Sequence, residues 1–285
     1  MGAWDAWIGR AETRTDRIDD GLVARWLATF DRNAPCDCTS PQGIHWCLGL
    51  PDAPTAQLGS DGHPARDNST ESFLPPVPLP RRMWASSKVE FVTPLKMGEM
   101  VVRTSQIRSI TEKTGGSGKL VFVDVAHETV GESSLAIREV QSIVYREAAA
   151  TNAPLAPLAP TRDGFDATGW DNHRILVPGA PLLFRFSALT FNSHRIHYDL
   201  PYAQNEERYR GLVVHGPLMA TLLLDLARQQ FGDNTLGSFE FRGLSPAICG
   251  ESLHLVMRMS NGEIELGAFA TDGRHIMAAS ARKKV

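Results

Sequence analysis

Residues 186–226 read FSALTFNSHRIHYDLPYAQNEERYRGLVVHGPLMATLLLDL, an apolar run followed by a dense group of polar side chains and then by a second apolar run. The first run, Leu182–Thr190, is predicted as a buried strand. The second, Leu218–Phe231, is predicted as a buried helix, and Pro217 lies where the first helical turn tolerates proline. Titratable groups therefore lie close to the N-terminus of a buried helix, whose free N–H groups and dipole stabilise a negatively charged oxygen.

Strands are predicted on both sides of this stretch. Alternating or β-branched apolar residues indicate strands at 89–92, 100–110, 120–128 and 134–145 before it, and at 239–242, 252–259, 263–269 and 274–281 after it. Residues 18–30 have apolar side chains at helical spacing, with Asp19 or Asp20 placed to cap the helix start. Each half of the chain is thus predicted to hold a long helix and an antiparallel sheet, which is an α+β fold.

The two halves contain similar segments. VEFVTPLKMGEMVVR at 89–103 resembles FEFRGLSPAICGESLHLVMR at 239–258, because each has an aromatic strand, a proline, Gly-Glu four and five residues later, and another strand. ATNAPLAPLAPTRDG at 150–164 is rich in proline and lacks periodicity, which is typical of a linker. We predict two copies of one fold unit, residues 1–149 and 165–285, joined by linker 150–164, with their sheets edge to edge.

Residues 34–80 are dense in Pro, Gly, Ser and Asp without either period, which predicts a long surface loop of the first unit. Cys36, Cys38, His45 and Cys47 lie in this loop, but the Cys-x-Cys interval is tighter than that of structural zinc sites, and no second pair follows. We therefore predict loop thiols and no metal. TGGSGK at 114–119 is predicted as a hairpin turn, because it lacks the spacing of a phosphate-binding loop.

Composition excludes several classes of protein. Of 285 residues, 42% are hydrophobic and 21% are charged, as in ordinary globular proteins of one or two domains. The net charge of -3 and the absence of a basic block argue against nucleic-acid binding. Without an apolar signal segment at the start or a run of about 18 apolar residues, we expect a cytoplasmic protein with no membrane partner. Four cysteines are too few for a disulfide framework.

The polar group contains candidates for acid–base chemistry. An imidazole has an ordinary pKa of about 6.5, so His197 can take up and return a proton at neutral pH. Asn192 can hold a water molecule through its side-chain oxygen, but an amide cannot donate a proton as a carboxylic acid does. Asp199 either fixes the tautomer of His197 or caps a short helix. His194 and His215 are either supporting residues of the site or structural histidines.

This stretch resembles the MaoC-like (R)-specific enoyl-CoA hydratases of the hotdog fold, whose motif has a His five positions after an Asp. On this chain the His is His197 and the acid position is Asn192. Gly216, in an HGPL segment similar to the helix start of the family, corresponds to the residue whose N–H forms the oxyanion hole, although it could simply permit close packing. The resemblance implies that water is added to a double bond conjugated to a CoA thioester. Because an amide cannot donate the proton, we predict that His197 handles both proton steps and that Asn192 orients the water.

Asn at the acid position is shared with the fused double-hotdog branch of FNSHRIHYD-like proteins. WIGRAETRTDRID, PPVPLPRRMWASS, EFVTPLKMGE and RGLSPAICGE also resemble this branch. It includes mesaconyl-C4-CoA and itaconyl-CoA hydratases and type 2 hydroxyacyl-thioester dehydratases. The resemblance implies a hydro-lyase for a short dicarboxylic enoyl-CoA. The alternatives are a dehydratase of (R)-3-hydroxyacyl thioesters in fatty-acid synthesis and a non-catalytic module that binds acyl thioesters.

Basic and aromatic residues are candidates for binding the substrate. A guanidinium group grips a carboxylate or phosphate bidentately, so Arg81, Arg82 and Arg195 could hold the acyl carboxylate or the CoA phosphates, with solvated surface charge as the alternative. Trp84 could roof the acyl pocket, which the non-catalytic first unit is expected to widen. CoA enters as part of the substrate and no separate cofactor is expected. A homodimer is a further hypothesis.

Overall fold

The computed structural model describes residues 2–35, 37–115, 118–132, 134–161, 164–260 and 262–284. Within these residues the chain forms ten strands and four α-helices, an α+β architecture. We use "first half" for the elements before residue 150 and "second half" for those after residue 164. No helix of the described residues is long and apolar enough to cross a membrane.

The first half has one short α-helix and five strands. Helix α1 begins after Asp19, whose carboxylate accepts a hydrogen bond from the Leu22 N–H at 2.8 Å, so the predicted helix and its cap are confirmed. Its buried face carries Val23 and Trp26. The elements are β1 Ala11–Arg17, α1 Asp20–Thr29, β2 Arg81–Phe91, β3 Met100–Gly115, β4 Gly118–Val130 and β5 Leu135–Arg146.

The second half has a longer central helix. Helix α4 confirms the prediction over Leu218–Phe231, and its residues 218–227 are all buried. The elements are β6 Asn172–Leu176, α2 Ala180–Leu189, α3 Leu200–Asn205, α4 Gly216–Phe231, β7 Leu236–Gly243, β8 Leu253–Ser260, β9 Glu263–Ala270 and β10 His275–Lys283.

The predicted strand over Leu182–Thr190 is wrong, because this run forms helix α2. Leu183, Phe186 and Leu189 face the core at helical spacing, while Phe184 is exposed. Pro181 lies in the first turn, where proline fits a helix. The run is apolar on almost every side, and such a run does not distinguish a strand from a buried helix by periodicity.

All strands belong to one antiparallel sheet with the order β1-β3-β4-β5-β2-β7-β10-β9-β8-β6. The order of the first five strands repeats, mirrored, in the last five. The two similar sequence segments meet at the centre, where β2 pairs with β7 and Val89 lies opposite Phe239. Gly98 and Gly250, which follow these strands, both have left-handed φ angles, of 88° and 85°. The predicted edge-to-edge arrangement of two similar sheets is therefore what the chain forms.

The predicted surface loop 34–80 lies only partly on the surface. Ile44–Leu48 is buried in the main core, and Trp46 contacts Phe241 of the second half with ring centroids 5.7 Å apart. Apolar side chains at 44, 46 and 48 explain why this segment leaves the solvent. Cys36 of the rejected zinc site and the tip of the predicted hairpin, residues 116 and 117, lie outside the described residues.

Candidate active site

The candidate site begins where helix α2 ends. Phe191 adopts a left-handed φ of 46°, which turns the chain sharply after the helix. The Asn192 side-chain oxygen then accepts a hydrogen bond from the His194 N–H at 3.0 Å, and a single 3-10 turn follows at Arg195–His197. These local bonds bring the side chains of His194 and His197 into the interior, where both are buried.

His197 is held with one ring nitrogen occupied. Its Nδ1 lies 2.7 Å from the carbonyl oxygen of Val213, which can only accept, so Nδ1 carries the proton. Nε2 is thereby left with a lone pair. Burial lowers the pKa of His197 to about 3 despite this hydrogen bond, and the charges of His194 and His63 lower it further. The imidazole is therefore neutral at pH 7 and can accept a proton at Nε2.

His215 and Gly216 place the start of helix α4 beside that ring. The imidazole of His215 stacks on His197 with centroids 3.5 Å apart, and its Nε2 forms a 2.8 Å hydrogen bond with the Ser187 hydroxyl. Burial lowers the pKa of His215 well below its usual value. The Gly216 N–H has no acceptor among the described residues, as expected for the first N–H of a helix.

Asp199 does not reach the His197 ring. Its carboxylate caps helix α3 by accepting from the Tyr202 N–H at 3.1 Å, and it pairs with the Arg195 guanidinium at 2.7 Å. The capping alternative is therefore confirmed, and the carbonyl of Val213 orients the imidazole instead. The Arg195 hydrogen bond, together with that of Tyr202, lowers the pKa of Asp199. Because Asp199 neutralises Arg195, this arginine is not available to a substrate carboxylate.

Only one of the other two candidate arginines is unpaired. Arg81 is buried, forms an ion pair with Glu207 and lies over the Tyr209 ring, so it has a structural role. Arg82 is half-buried, and its guanidinium group forms no hydrogen bond or ion pair with any residue that the structure describes. Burial lowers the pKa of His194 to about 3, and the charges of His63 and Arg82 add to this effect. Arg82 therefore carries a charge that no described side chain neutralises, and this charge contributes to lowering the pKa of His194.

Trp84 lies at the boundary between the two halves. Its indole donates a hydrogen bond to the Ser87 hydroxyl at 2.9 Å and packs on Trp46 and Phe241. The carbonyl of Trp84 lies 4.0 Å from the position that a Cβ on Gly216 would occupy. Trp84 therefore lies next to the start of helix α4. Its predicted role as a roof over the acyl pocket stays a prediction.

The sequence reasoning missed two residues of the loop 34–80. Asp61 and His63 form a hydrogen-bonded pair, with 3.2 Å between His63 Nδ1 and Asp61 Oδ2, and the His63 ring packs on His194 with centroids 4.2 Å apart. The available signal was the Asp-Gly-His-Pro segment at 61–64, whose acid and imidazole stand out in a loop otherwise predicted to lie on the surface.

The arrangement can accept a proton and stabilise an anion at neighbouring positions. A neutral imidazole presents a free Nε2, and beside it the N-terminus of α4 presents a free N–H and the positive end of the helix dipole. A base and a group that stabilises an anion are two of the groups required for adding water to a double bond that is conjugated to a carbonyl group.

Comparisons with known proteins find hydratase and dehydratase relatives. The family "hydroxyacyl-thioester dehydratase type 2" matches residues 43–249. A mesaconyl-C(4)-CoA hydratase of Chloroflexus aurantiacus is 44% identical over 282 residues, which cover 97% of this chain and 96% of the relative. The mitochondrial hydroxyacyl-thioester dehydratase type 2 of Schizosaccharomyces pombe is 24% identical and covers 90% of this chain and 93% of its own.

Solved structures show the same fold. A MaoC-like dehydratase from Phytophthora capsici superposes with a TM-score of 0.73 at 14% identity, covering 100% of this chain and 98% of the other. A Mycobacterium tuberculosis protein described as having a double hotdog fold has a TM-score of 0.56 at 13% identity, covering 97% and 96%. The predicted double hotdog fold is therefore confirmed. The chain belongs to the hydroxyacyl-thioester dehydratase type 2 family and is a MaoC-like enoyl-thioester hydratase or dehydratase.

Proposed function

We propose that the chain adds water to the double bond of a short dicarboxylic acyl thioester of CoA and that His197 takes the proton from this water. The observation that carries the proposal is the orientation of one imidazole. His197 donates Nδ1–H to the Val213 carbonyl, which leaves Nε2 free. The same ring stacks on His215, the residue that precedes the N-terminus of α4.

The reaction uses both features of the site. As His197 Nε2 removes a proton from water, the hydroxyl oxygen bonds to the β-carbon, and the electrons of the double bond shift toward the thioester oxygen. The Gly216 N–H and the α4 dipole stabilise the negative charge on that oxygen. Because the helix holds these groups in place, little reorganisation is needed as the charge develops. Asn192 uses one lone pair of Oδ1 for the His194 N–H, and the second lone pair can orient the water.

Arg82 supports the choice of a dicarboxylic substrate. A half-buried guanidinium without an ion-pair partner among the described residues suits a substrate carboxylate. Its positive charge contributes to lowering the pKa of His194, which lies beside His197 and His63. The relative that is 44% identical is a hydratase of mesaconyl-C4-CoA, whose acyl group retains a free carboxylate. We assign the recognition of that carboxylate to Arg82.

The second candidate is the dehydration of a 3-hydroxyacyl thioester, supported by the family match and by the Schizosaccharomyces pombe relative. Dehydration uses the same groups in the reverse direction, and its substrate has no free carboxylate that an arginine would have to bind. A module that only binds acyl thioesters is not favoured, because the free Nε2 of His197 and the helix N-terminus beside it are arranged for proton transfer.

The test measures steady-state hydration of mesaconyl-C4-CoA, itaconyl-CoA and crotonyl-CoA by the purified protein. We expect Arg82→Gln to lower kcat/KM for the two dicarboxylic thioesters by about 10-fold, the value of one charge-assisted hydrogen bond, with crotonyl-CoA nearly unaffected. Lys88→Gln is the matched control, since Lys88 is an exposed cation on the same strand. Equal losses on all three substrates would remove Arg82 from substrate selection, and no turnover of any would contradict the hydratase.

A further inference from the structure

The first half contributes part of loop 34–80 to the site of the second half. Three hydrogen bonds hold residues 60–62 against residues 193–195: the Arg195 N–H donates to the Asp61 carbonyl at 2.9 Å, the Ser193 hydroxyl to the Gly62 carbonyl at 2.5 Å, and the Arg195 guanidinium to the Ser60 carbonyl at 2.8 Å. Gly62 has a φ of +87°, and a Cβ there would lie 2.0 Å from the Ser193 carbonyl oxygen. The backbone of residues 60–62 therefore packs so closely against residues 193–195 that only glycine fits at position 62.

This contact presents an imidazole backed by a carboxylate. Asp61 accepts from the His63 N–H at 3.0 Å and lies 3.2 Å from His63 Nδ1. Although burial alone raises the pKa of Asp61, the hydrogen bonds and charge of His63 lower it to about 2, so the carboxylate is ionised. With Nδ1 directed at Asp61, the other nitrogen, Nε2, is available for proton transfer. The His63 side chain is 23% exposed, so it can exchange protons with solvent.

The second proton step of the reaction lacks a suitable donor in the second half. Asn192 occupies the position of the acid and cannot donate a proton to carbon. His194, His197 and His215 are buried, and none of them is hydrogen-bonded to a carboxylate among the residues that the structure describes. A proton on His63 is shared with a hydrogen-bonded carboxylate, Asp61, which also lies within 4.8 Å of His194 but forms no hydrogen bond with that ring.

We propose that His63, oriented by Asp61, delivers the proton to the α-carbon, a role that rests on the hydratase function proposed above. His197 takes one proton from water while the hydroxyl bonds to the β-carbon. The electrons that moved to the thioester oxygen then return to form the α-carbon bond with the proton from His63 Nε2. The site is left with a protonated His197 and a neutral His63, and proton exchange through solvent restores both. One water is consumed, and no other reactant is needed.

The ring of His194 lies next to both His63 and His197. The ring centroids of His197 and His194 are 5.6 Å apart, and those of His194 and His63 are 4.2 Å apart. The α- and β-carbons are adjacent atoms. The group that donates a proton to the α-carbon and the group that accepts a proton from the attacking water must therefore approach the substrate from different directions. This assignment replaces the sequence hypothesis that His197 performs both proton steps.

Asp61, His63 and His194 also offer ligand atoms within 4.8 Å of one another, which is a spacing compatible with a metal ion. The proton-transfer role is favoured because the Asp61 carboxylate is already bonded to both the ring and the backbone N–H of His63. A metal would have to displace the ring contact to bind that oxygen. Metal binding is therefore an outcome that the experiment must detect.

The experiment measures two rates with mesaconyl-C4-CoA and its hydroxyacyl product. The first is kcat for hydration, and the second is exchange of the α-hydrogen of the hydroxyacyl-CoA in D₂O, followed by mass spectrometry. We expect His63→Gln to lower both rates by about 100-fold or more, the usual contribution of a general acid or base, with little change in KM. His197→Gln should lower kcat by a similar factor but keep exchange within about 10-fold of wild type.

His173→Gln is the matched control, because His173 lies on β6 and bonds to His254 rather than to the site. If His63→Gln keeps α-hydrogen exchange while His197→Gln loses it, His197 performs both steps and the proposal is wrong. Loss of kcat on dialysis against EDTA, with recovery on addition of Zn²⁺, would likewise overturn it in favour of a metal site. A failure of the hydratase function itself is recognised separately, since the wild-type protein would then hydrate none of the thioesters.

Discussion

The two halves share a strand order but place different chemistry at their centres. In the first half, buried Glu139 accepts hydrogen bonds from the Ser87 hydroxyl and the Trp46 indole and lies 3.5 Å from His45. In the second half, His197 has one bonded nitrogen and one free nitrogen, next to the N-terminus of α4. The first half has a one-turn segment, Ile44–Cys47, in its core, while the 16-residue α4 fills the second.

The difference shows what turns a buried polar group into a reactive one. Burial alone raises the pKa of Glu139, but its contacts with His45 and Ser87 lower it to about 2, so it stays ionised and bonded within the core. Such a group stabilises the fold, because its removal would leave the buried donors that bond to it without an acceptor. The His197 imidazole keeps an unused lone pair and a helix dipole nearby, so it can take part in a reaction. The first half contributes to the chemistry through its loop, which carries Asp61 and His63.

The largest effect is expected when the buried carboxylate of the first half is neutralised. Glu139→Gln should lower the free energy of unfolding by about 3 kcal/mol, because the amide leaves His45 without a charged neighbour and turns a donor toward Trp46 or Ser87. Its kcat should stay within a few-fold of wild type. Urea unfolding followed by a hydration assay would check both. A large fall in kcat at unchanged stability would contradict a purely structural role for Glu139.

The loop contact between the halves is tested next. Gly62→Ala should lower kcat by about 100-fold, since the Cβ collides with the Ser193 carbonyl and moves His63 out of place. Gly98→Ala is the control, because Gly98 has the same left-handed φ but no atom within 4 Å of the place that a Cβ would occupy. It should cost about 1–2 kcal/mol of stability and leave kcat unaffected. Equal kcat in the two variants would show that the loop position does not matter for turnover.

The last prediction concerns the pH dependence of stability. His194 and His197 have pKa values lowered to about 3 by burial, so below pH 6.5 the unfolded chain takes up protons that the folded protein excludes. The free energy of unfolding should therefore fall as pH drops from 6.5 toward 3, by up to about 1.4 kcal/mol per pH unit for each histidine. Glu139 affects the slope only at lower pH, since its contribution to the free energy of unfolding is present above pH 4.5 and is lost toward pH 2.

Urea unfolding of wild type and His194→Gln at pH 7.5, 6 and 5 would measure this slope. The variant should have the shallower dependence between pH 6.5 and 5, because it lacks one of the excluded protons. Burial also lowers the pKa of His127 in the first half, so part of the slope should persist in every variant of the site. A wild-type stability that is flat from pH 7.5 to 5 would show that these rings are protonated in the folded state.

Local sequence patterns predicted most of the fold. Helices α1 and α4 and the strands on either side of the central stretch were found, because apolar periodicity reports which face of an element is buried. Strands β1 and β6 were not predicted, since β1 alternates half-buried with exposed residues and lacks an apolar face. Helix α2 was taken for a strand because its apolar run gave no clear period. Cytoplasmic location, the homodimer and the exact domain boundaries stay predictions.

The sequence alone determined that an imidazole at 197 and a helix starting at 216 belong to one site, because both lie in one short segment with a recognisable spacing. It also marked Arg81, Arg82 and Arg195 as equal candidates. Only the tertiary structure distinguished them, by pairing Arg81 with Glu207 and Arg195 with Asp199. It also brought Asp61 and His63 to His194, across more than a hundred positions of the chain. Contacts between distant segments depend on how the two sheets join, and no local pattern of residues encodes that.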